Sequence, residues 1–283
     1  MKLKRRIINI SIYFILALAA IVTLFPVLYT VAASFKSNME LLTNPGSFFP
    51  DNPTLENYKI AFSSENFHVP TLMRNSILYT VANVAVNVSI SAMAGYVFAR
   101  GHFRFKKIIF ACFSALMFVK TGGMDIYPTF EILDALNLTA GLASLVLVHC
   151  FSIPVVNIYL VKGNIESLPL ELDEAAKMDG YSFIGIFFKI ILPLLKPILT
   201  TVAIMSFKAS WNEYLMPNIF TMLRPKEKTL VVGLMALKNS GEAAAAWNLM
   251  LAGSVIAMLP ILVVFAIGNK YFIKGIAAGA VKG

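Results

Sequence analysis

The stretch "ELDEAAKMDG", residues 171–180, holds four of the fifteen acidic residues of the chain. The rest of the sequence is strongly apolar: of 283 residues, 58% are hydrophobic and only 14% are charged, and the mean hydropathy is +0.74. A soluble domain of this length could not bury so much apolar surface. The composition therefore predicts a membrane protein that carries one acidic segment outside the bilayer.

Six stretches of the sequence are long and apolar enough to cross a bilayer as helices, which takes about 20 residues each. They cover residues 7–33, 72–99, 108–127, 142–161, 194–220 and 249–272. The first follows the basic start "KLKRR", but it is much longer than the apolar part of a signal peptide, and no A-x-A site closes it. We therefore expect an all-α, polytopic membrane protein with six transmembrane helices in a single domain, residues 1–283.

Basic residues near the span ends indicate the orientation, because they favour the cytoplasmic side. With the N-terminus inside, 15 of the 24 lysines and arginines fall on the cytoplasmic side and 7 fall outside. We expect both termini in the cytoplasm, with the loop 163–192 also inside and the segment 34–71 outside. The basic cluster at 224–228 fits this topology least well. Since the basic residues lie at the ends of apolar runs, the net charge of +9 does not indicate nucleic-acid binding.

The acidic stretch has the pattern of a short cytoplasmic helix. Ser167 is a candidate N-cap, the acids lie in the early turns, where the helix dipole favours negative charge, and Gly180 suits a left-handed residue that ends a helix. Asp173 and Lys177 can pair across one turn, and Ser182 can cap a second helix. The pattern alone fits an interfacial helix, resting on the membrane or on its own loops, as well as it fits a docking surface.

Residues 174–193 resemble the EAA motif of ABC-importer permeases: Glu174-Ala175-Ala176, three residues, Gly180, nine residues, Ile190, one residue, Leu192-Pro193. The strings "PTLENY", "NSILYT", "AGYVFAR", "ILPLLKPIL", "WNEYLMP" and "GIAAGAVKG" resemble carbohydrate-uptake permeases of the maltose-transporter type, in particular the six-span member of the permease pair. The resemblance covers essentially the whole chain. The string "FVKTGGMDIYPTF", residues 118–130, departs from the maltose-type pattern towards relatives that take up complex or oligomeric sugars, so the identity of the sugar stays open.

The resemblance implies a permease subunit of an ATP-driven importer of a sugar or oligosaccharide, without an ATPase site or a cofactor of its own. ATP and Mg would be bound by a partner ATPase dimer. The other partners implied are a second permease, for which the family favours a different chain, and an extracellular or periplasmic sugar-binding protein. The chain would be a multi-pass protein of a bacterial or archaeal cytoplasmic membrane.

The resemblance also implies that the loop 163–192 contains a coupling helix that docks on the ATPase. The residues expected at this contact are Glu171, Asp173, Glu174, Ala175, Ala176, Met178, Asp179 and Gly180. The C-terminal segment 277–283 resembles an extension that reaches towards the ATPase dimer interface, and a frayed terminus is the alternative. Within this segment, the residues expected at the ATPase interface are Val281, Lys282 and Gly283.

Polar residues within the spans are candidates for a substrate path, because ionisable groups in lipid are costly and usually functional. Lys208, Trp211 and Asn212 share a face of the fifth span, where an indole can stack on a sugar ring; a structural role at the helix end explains them equally well. Small and amide residues recur at every fourth position of the second span, which indicates helix packing more than a path. The candidate path residues are Lys208, Trp211, Asn212, Glu213, Tyr214, Asn83 and Asn87, and Lys120 and Asp125 can line the path or pair near the outer surface.

Other classes of protein fit the sequence less well. The sequence has no G-x-x-x-x-G-K-[ST] phosphate-binding loop, its three histidines show no metal-ligand spacing, and its two cysteines lie in apolar segments, where inert thiols are expected. An ABC permease for a non-sugar solute remains an alternative within the class. An ion-gradient-driven secondary transporter would predict inverted repeats and paired broken helices, which the sequence does not show, and an intramembrane enzyme would need a catalytic set.

Overall fold

The computed structural model describes residues 2–65, 67–118, 123–124, 126–138, 141–239 and 246–280. These residues form helices and connecting turns and contain no strand, which confirms the all-α fold. The helices are α1 Lys2–Ala33, α2 Asn38–Thr43, α3 Glu56–Ser63, α4 Val69–Arg100, α5 Lys106–Leu116, α6 Ile126–Ala135, α7 Leu142–Cys150, α8 Val155–Glu166, α9 Glu171–Met178, α10 Phe183–Ile186, α11 Leu192–Leu194, α12 Lys196–Trp211, α13 Leu215–Phe220, α14 Leu230–Asn239 and α15 Trp247–Ala280.

Three helices are long and apolar enough to cross a membrane by themselves. They are Asn9–Ala33 within α1, Val69–Arg100, and Trp247–Gly268 within α15. The predicted fourth and fifth spans are each a bent pair of helical segments. The first pair is Leu142–Cys150 with Val155–Glu166, at 44°. The second is Phe183–Leu194 with Lys196–Trp211, at 78°, and the π-helical residues Phe187–Ile191 join α10 to α11 within its first segment. The described residues therefore contain three candidate spans, or five if each bent pair crosses as one.

Proline explains both bends, because its ring removes a backbone donor and clashes with the preceding turn. Pro154 lies directly before α8, and Pro197 lies in the first turn of α12. Over the predicted third span, 108–127, α5 ends at Leu116 and α6 begins at Ile126, so a single continuous helix is replaced by two shorter ones. Residues 119–122 and 125 between them lie outside the described residues.

The chain divides into two compact units, and the first lies within residues 1–70 and 233–259. In it, α1 continues through Pro26, and the segment 34–71 contains the short helices α2 and α3. The buried amide of Asn57 donates to the carbonyl oxygens of Ser34 and Lys36, at 2.7 and 2.8 Å, and its oxygen accepts from Asn248 Nδ2 at 2.7 Å. These bonds hold the segment that follows α1 against α3 and α15.

The second unit, within residues 71–232 and 260–283, is built along α4. One buried apolar core joins the C-terminal half of α4 to α8, to the loop helices α9 and α10, and to α12. Its members are Ala92, Tyr96, Val161, Ile165, Ala176, Ile186, Phe187, Ile191, Leu195, Ile198 and Val202. A smaller core at the other end of α4 joins it to α6, α7 and α13, through Tyr79, Leu133, Leu145 and Phe220. The loop helices are thus packed on the same helix that reaches the second core.

Gly95 allows the close approach of α4 and α8. A Cβ atom at this position would lie 2.7 Å from Val161 Cγ1 and 3.2 Å from the backbone nitrogen of Lys162. Gly163, in α8, has no atom within 4 Å of an added Cβ. Both glycines are helical, but only Gly95 is closely packed against another helix.

We expect Gly95→Ala to destabilise the protein by about 1–3 kcal/mol, because the overpacked methyl group forces α4 and α8 apart. Gly163→Ala is the matched control, and it should be neutral or stabilising by up to about 1 kcal/mol, since alanine is the better helix former. The measurement is the melting temperature in detergent. Adding Val161→Ala should restore part of the loss in Gly95→Ala, and equal melting temperatures for the two glycine variants would contradict close packing at Gly95.

Candidate functional site

Three residues of the acidic loop were predicted to begin or end its helices, and two of them do so. Gly180 has φ +83°, so it is the left-handed residue that follows α9, as predicted. Ser182 accepts a hydrogen bond from the Gly185 backbone nitrogen at 3.2 Å, which confirms it as the N-cap of α10. The prediction for Ser167 is wrong: its hydroxyl donates to the Asn164 carbonyl at 2.6 Å. Ser167 has helical dihedral angles and ends α8, whereas an N-cap needs an extended backbone.

A buried ion pair attaches the acidic loop to α4. Arg100 Nε donates to Asp173 Oδ2 at 3.0 Å, and its Nη2 donates to the Leu168 carbonyl at 2.8 Å. The side chains of Arg100 and Asp173 are each only 9% exposed. One turn earlier, the Tyr96 hydroxyl donates to the Phe183 carbonyl at 3.2 Å. The last turn of α4 therefore fixes both α9 and α10.

The eight residues expected at the ATPase contact divide into two sets. Asp173 and Ala176 point into the protein, where Asp173 meets Arg100 rather than the expected Lys177, and Ala176 is part of the larger core. The others are exposed: Glu171, Glu174, Ala175, Met178, Asp179 and Gly180. Met178, at 89% exposed, stands out as a large apolar side chain among three carboxylates. We call this exposed set the α9 surface.

Two cavities lie next to each other in the second unit. The amide cavity, of about 510 Å³, is named for its amide residues, Asn87 and Asn157, which line it together with Ser206, Ser210 and apolar residues that include Val156 and Met205. The leucine cavity, of about 440 Å³, is lined by apolar residues that include Leu145, Leu215 and Met216. His149, Ser152 and Glu213 line both cavities. Both volumes fall in the range of small-ligand sites, roughly 300–1,000 Å³.

A cluster of three polar side chains lies where the cavities meet. The Tyr79 hydroxyl donates to Glu213 Oε2 at 2.6 Å, and it lies 3.1 Å from His149 Nε2. His149 Nε2 is 3.6 Å from Glu213 Oε2. The cluster therefore joins α4, α7 and the turn 212–214. We call it the Tyr–His–Glu cluster.

The other candidate path residues lie outside the Tyr–His–Glu cluster. Asn87 lines the amide cavity, whereas Asn83 is fully buried in α4 and is not among the lining residues. The Trp211 indole is buried and stacked on Phe207, with ring centroids 5.5 Å apart, rather than presented to either cavity. Lys208 is exposed outside both linings.

Two further candidates lie at helix boundaries. Asn212 donates through its amide to the Lys208 carbonyl at 2.9 Å and so ends α12. Tyr214 directly precedes α13. Lys120, Asp125, Val281, Lys282 and Gly283 lie outside the described residues.

Tyr79 and His149 were not predicted from the sequence as partners of Glu213. Residue spacing could not have joined them, because Tyr79 is 70 residues from His149 and 134 from Glu213. The available signal was the presence of an imidazole and a carboxylate inside apolar spans.

Comparison with known proteins identifies the family of this helical chain. The family of binding-protein-dependent transport system inner membrane components matches residues 2–278. The chain belongs to this family. As a member, this permease is a multi-pass protein of the inner-membrane component class, and such components are not themselves enzymes.

Two similar permeases match nearly the whole chain. The sulfoquinovosyl glycerol transport system permease protein of Agrobacterium fabrum is 33% identical over 92% of this chain and 89% of its own length. The galactooligosaccharides transport system permease protein of Bacillus subtilis is 32% identical over 100% of this chain and 99% of its own length. A crystal structure of a bacterial ABC transporter involved in the import of the acidic polysaccharide alginate contains a chain with the same fold. It superimposes with a TM-score of 0.78 at 24% identity, over 94% of this chain and 97% of that chain.

We expect Asp173→Ala to lower the stability of this permease by about 3–5 kcal/mol, because it leaves the Arg100 guanidinium buried without its carboxylate. Arg100→Met combined with Asp173→Leu should restore much of that loss, since both charges are then removed. The control is Glu166→Ala, which breaks the exposed Lys162–Glu166 pair and should cost at most about 1 kcal/mol. The measurement is the melting temperature in detergent, and equal shifts for Asp173→Ala and Glu166→Ala would contradict the anchoring role of Asp173.

Proposed function

We propose that this permease moves a sugar or oligosaccharide into the cell as one subunit of an ATP-driven ABC importer. The family match over residues 2–278 carries the transport assignment. The sugar class is supported by relatives whose names include galactooligosaccharides and sulfoquinovosyl glycerol, each aligned over most of both chains. The amide and hydroxyl side chains that line the amide cavity can bond to sugar hydroxyl groups, which need both donors and acceptors.

The proposed topology has six spans with both termini in the cytoplasm, in one permease domain over residues 1–283. The bent pairs α7–α8 and α10–α12 would be the fourth and fifth spans, and the third would contain α5. This topology places the loop 163–192 in the cytoplasm. Within that loop, the α9 surface would face a soluble partner rather than lipid, because three carboxylates would be costly in contact with acyl chains. The membrane would be the cytoplasmic membrane of a bacterium or archaeon.

The α9 surface has the chemistry of a contact with an ATPase subunit. Its carboxylates, of Glu171, Glu174 and Asp179, can pair with basic groups at the rim of a socket, and Met178 offers a deformable apolar anchor. The ion pair between Arg100 and Asp173 holds this surface in place before the partner arrives, which reduces the ordering cost of binding. The end of the chain at 281–283 would make a second contact with the ATPase dimer.

The complete importer would contain this chain, a second permease of different sequence, an ATPase dimer that binds ATP and Mg, and an extracellular or periplasmic sugar-binding protein. The binding protein would dock on the outer segments, including 34–71. Closure of the ATPase dimer would move α9 and, through the ion pair, α4. Such a rigid-body movement is a common route for switching between two packed states.

We expect Glu174→Arg to reduce the amount of ATPase that co-purifies with the tagged permease by about tenfold or more, because the charge reversal opposes a basic partner at the contact. Glu166→Arg makes the same charge change at an exposed position outside α9, and it should retain the ATPase. The measurement is mass spectrometry of the complex purified in mild detergent. The free energy of unfolding of each free chain should stay within about 0.5 kcal/mol of the value for the unchanged protein, as is usual for surface substitutions.

Two results would overturn the proposed function. If no ATPase is recovered with the unchanged chain under conditions in which the second permease remains bound, the chain is not coupled to ATP through the α9 surface. If Glu174→Arg and Glu166→Arg retain equal amounts of ATPase, the contact lies elsewhere.

A further inference from the structure

Glu213 is an acidic group on a wall shared by two cavities within the proposed membrane-spanning part of the chain. Neither lysine nor arginine is found among the described residues that line the amide and leucine cavities. Within the Tyr–His–Glu cluster, the neighbours of the Glu213 carboxylate are the Tyr79 hydroxyl and the His149 imidazole. A carboxylate in a low-dielectric region is costly to maintain and marks a functional position. Helix packing alone would be served at lower cost by an amide or an apolar side chain.

The bonds of the cluster can be exchanged with a passing hydroxyl group. The Tyr79 hydroxyl proton is directed at Glu213 Oε2, and the Tyr79 oxygen lies within hydrogen-bond distance of His149 Nε2. A sugar hydroxyl is both a donor and an acceptor, so it can donate to the carboxylate and accept from the imidazole or the phenol. Glu213 also has a second carboxylate oxygen, which lets it accept more than one hydroxyl proton.

The cluster is positioned as a partition. His149 and Glu213 each line both cavities, so their side chains form part of the wall between them. A solute that moves from one cavity to the other would have to pass these groups. Three separate elements, α4, α7 and the turn 212–214, supply the cluster, so a movement of α4 relative to the other two would break the 2.6 Å bond between Tyr79 and Glu213.

We propose that the Tyr–His–Glu cluster is a charge-selecting partition on the substrate path, which passes neutral polyhydroxylated sugars and opposes acidic ones. This inference rests on the proposed function and adds the substrate class. A neutral sugar replaces the internal hydrogen bonds of the cluster with its own hydroxyl groups. A carboxylated sugar would bring a second negative charge next to Glu213 where no described lysine or arginine of the two linings offsets it, and two like charges at short range repel strongly in a medium of low dielectric constant. The fold is shared with a chain of an importer of an acidic polysaccharide, and the Agrobacterium fabrum relative is named for a sulfonated sugar, so selectivity for charge would be set by such side chains rather than by the fold or the family.

The test uses two small reagents that differ in charge, iodoacetamide and iodoacetate. Ala209 lines the amide cavity one helical turn before Glu213, and we replace it with cysteine in a chain whose two free cysteines, Cys112 and Cys150, are alanine. Alkylation rates are measured in membrane vesicles that contain the assembled transporter. Both reagents attack the thiolate, so the ratio of the iodoacetate rate to the iodoacetamide rate cancels any shift in the acidity of the new cysteine.

We expect Glu213→Gln, which keeps the shape and removes the charge, to raise this ratio by about tenfold. Glu166→Gln is the matched control, because it removes one exposed carboxylate from α8 outside both linings, and it should leave the ratio unchanged. An unchanged ratio in Glu213→Gln would overturn the proposal, since the carboxylate would then not control the passage of anions. An equal rise in both variants would overturn it as well.

A second comparison does not depend on the stability of Glu213→Gln. The same rate ratio is measured for 2-mercaptoethanol, a neutral thiol in free solution. With Glu213 intact, the rate ratio at the Ala209→Cys position should be about tenfold lower than the ratio for 2-mercaptoethanol. Equal ratios for the two thiols would contradict the partition. The ratios are read whether or not an ATPase co-purifies, so failure of the partition and failure of the proposed function are separate results.

Discussion

The ion pair between Arg100 and Asp173 is the contact on which the rest of the second unit depends. It joins the last turn of α4 to α9 across 73 residues of sequence, and both side chains are almost fully buried. Burying two charges is costly, and an apolar pair of similar volume can stabilise the fold by as much. What the ion pair adds is a single defined arrangement: the guanidinium also bonds the Leu168 carbonyl, so the direction of α9 relative to α4 is fixed. The exposed carboxylates of α9 are thereby held on the side away from the core.

The helix that carries Arg100 also carries Tyr79, 21 residues earlier, and at 1.5 Å per residue these positions are about 32 Å apart. One end of α4 is therefore bonded to the acidic loop and the other to Glu213 and His149. Between them, the close approach to α8 at Gly95 and the large apolar core keep the helix packed as one body. A partner that displaces α9 would displace α4, and the bonds at the far end of α4 would have to change. This connection gives a physical basis for coupling between the proposed ATPase contact and the proposed substrate path within one chain.

Much of the fold and of the acidic loop could be predicted from the sequence, and the failures have two causes. Long apolar runs identified α1, α4 and α15, and local residue types identified Gly180 and Ser182, because these features depend on neighbours within one helix or turn. The bends in the fourth and fifth predicted spans were missed, because proline tolerates either a kink or a helix start. Asp173 was placed outward because its partner Arg100 is distant in sequence. For the same reason, the Tyr–His–Glu cluster emerged only from the folded chain, although Glu213 and Asn87 were already candidates for the path.

The most direct measurement of this connection is the effect of nucleotide on the amide cavity. Iodoacetamide alkylation of Ala209→Cys would be followed in the assembled transporter, before and after addition of ATP with vanadate, with Arg100 intact and with Arg100→Met combined with Asp173→Leu. Coupling through α4 predicts a severalfold change in rate on nucleotide addition when the ion pair is present, and a much smaller change in the apolar pair if that variant still retains its ATPase. A nucleotide effect of the same size in both, or none with the ion pair intact, would show that α4 does not transmit the movement of α9 to the substrate path.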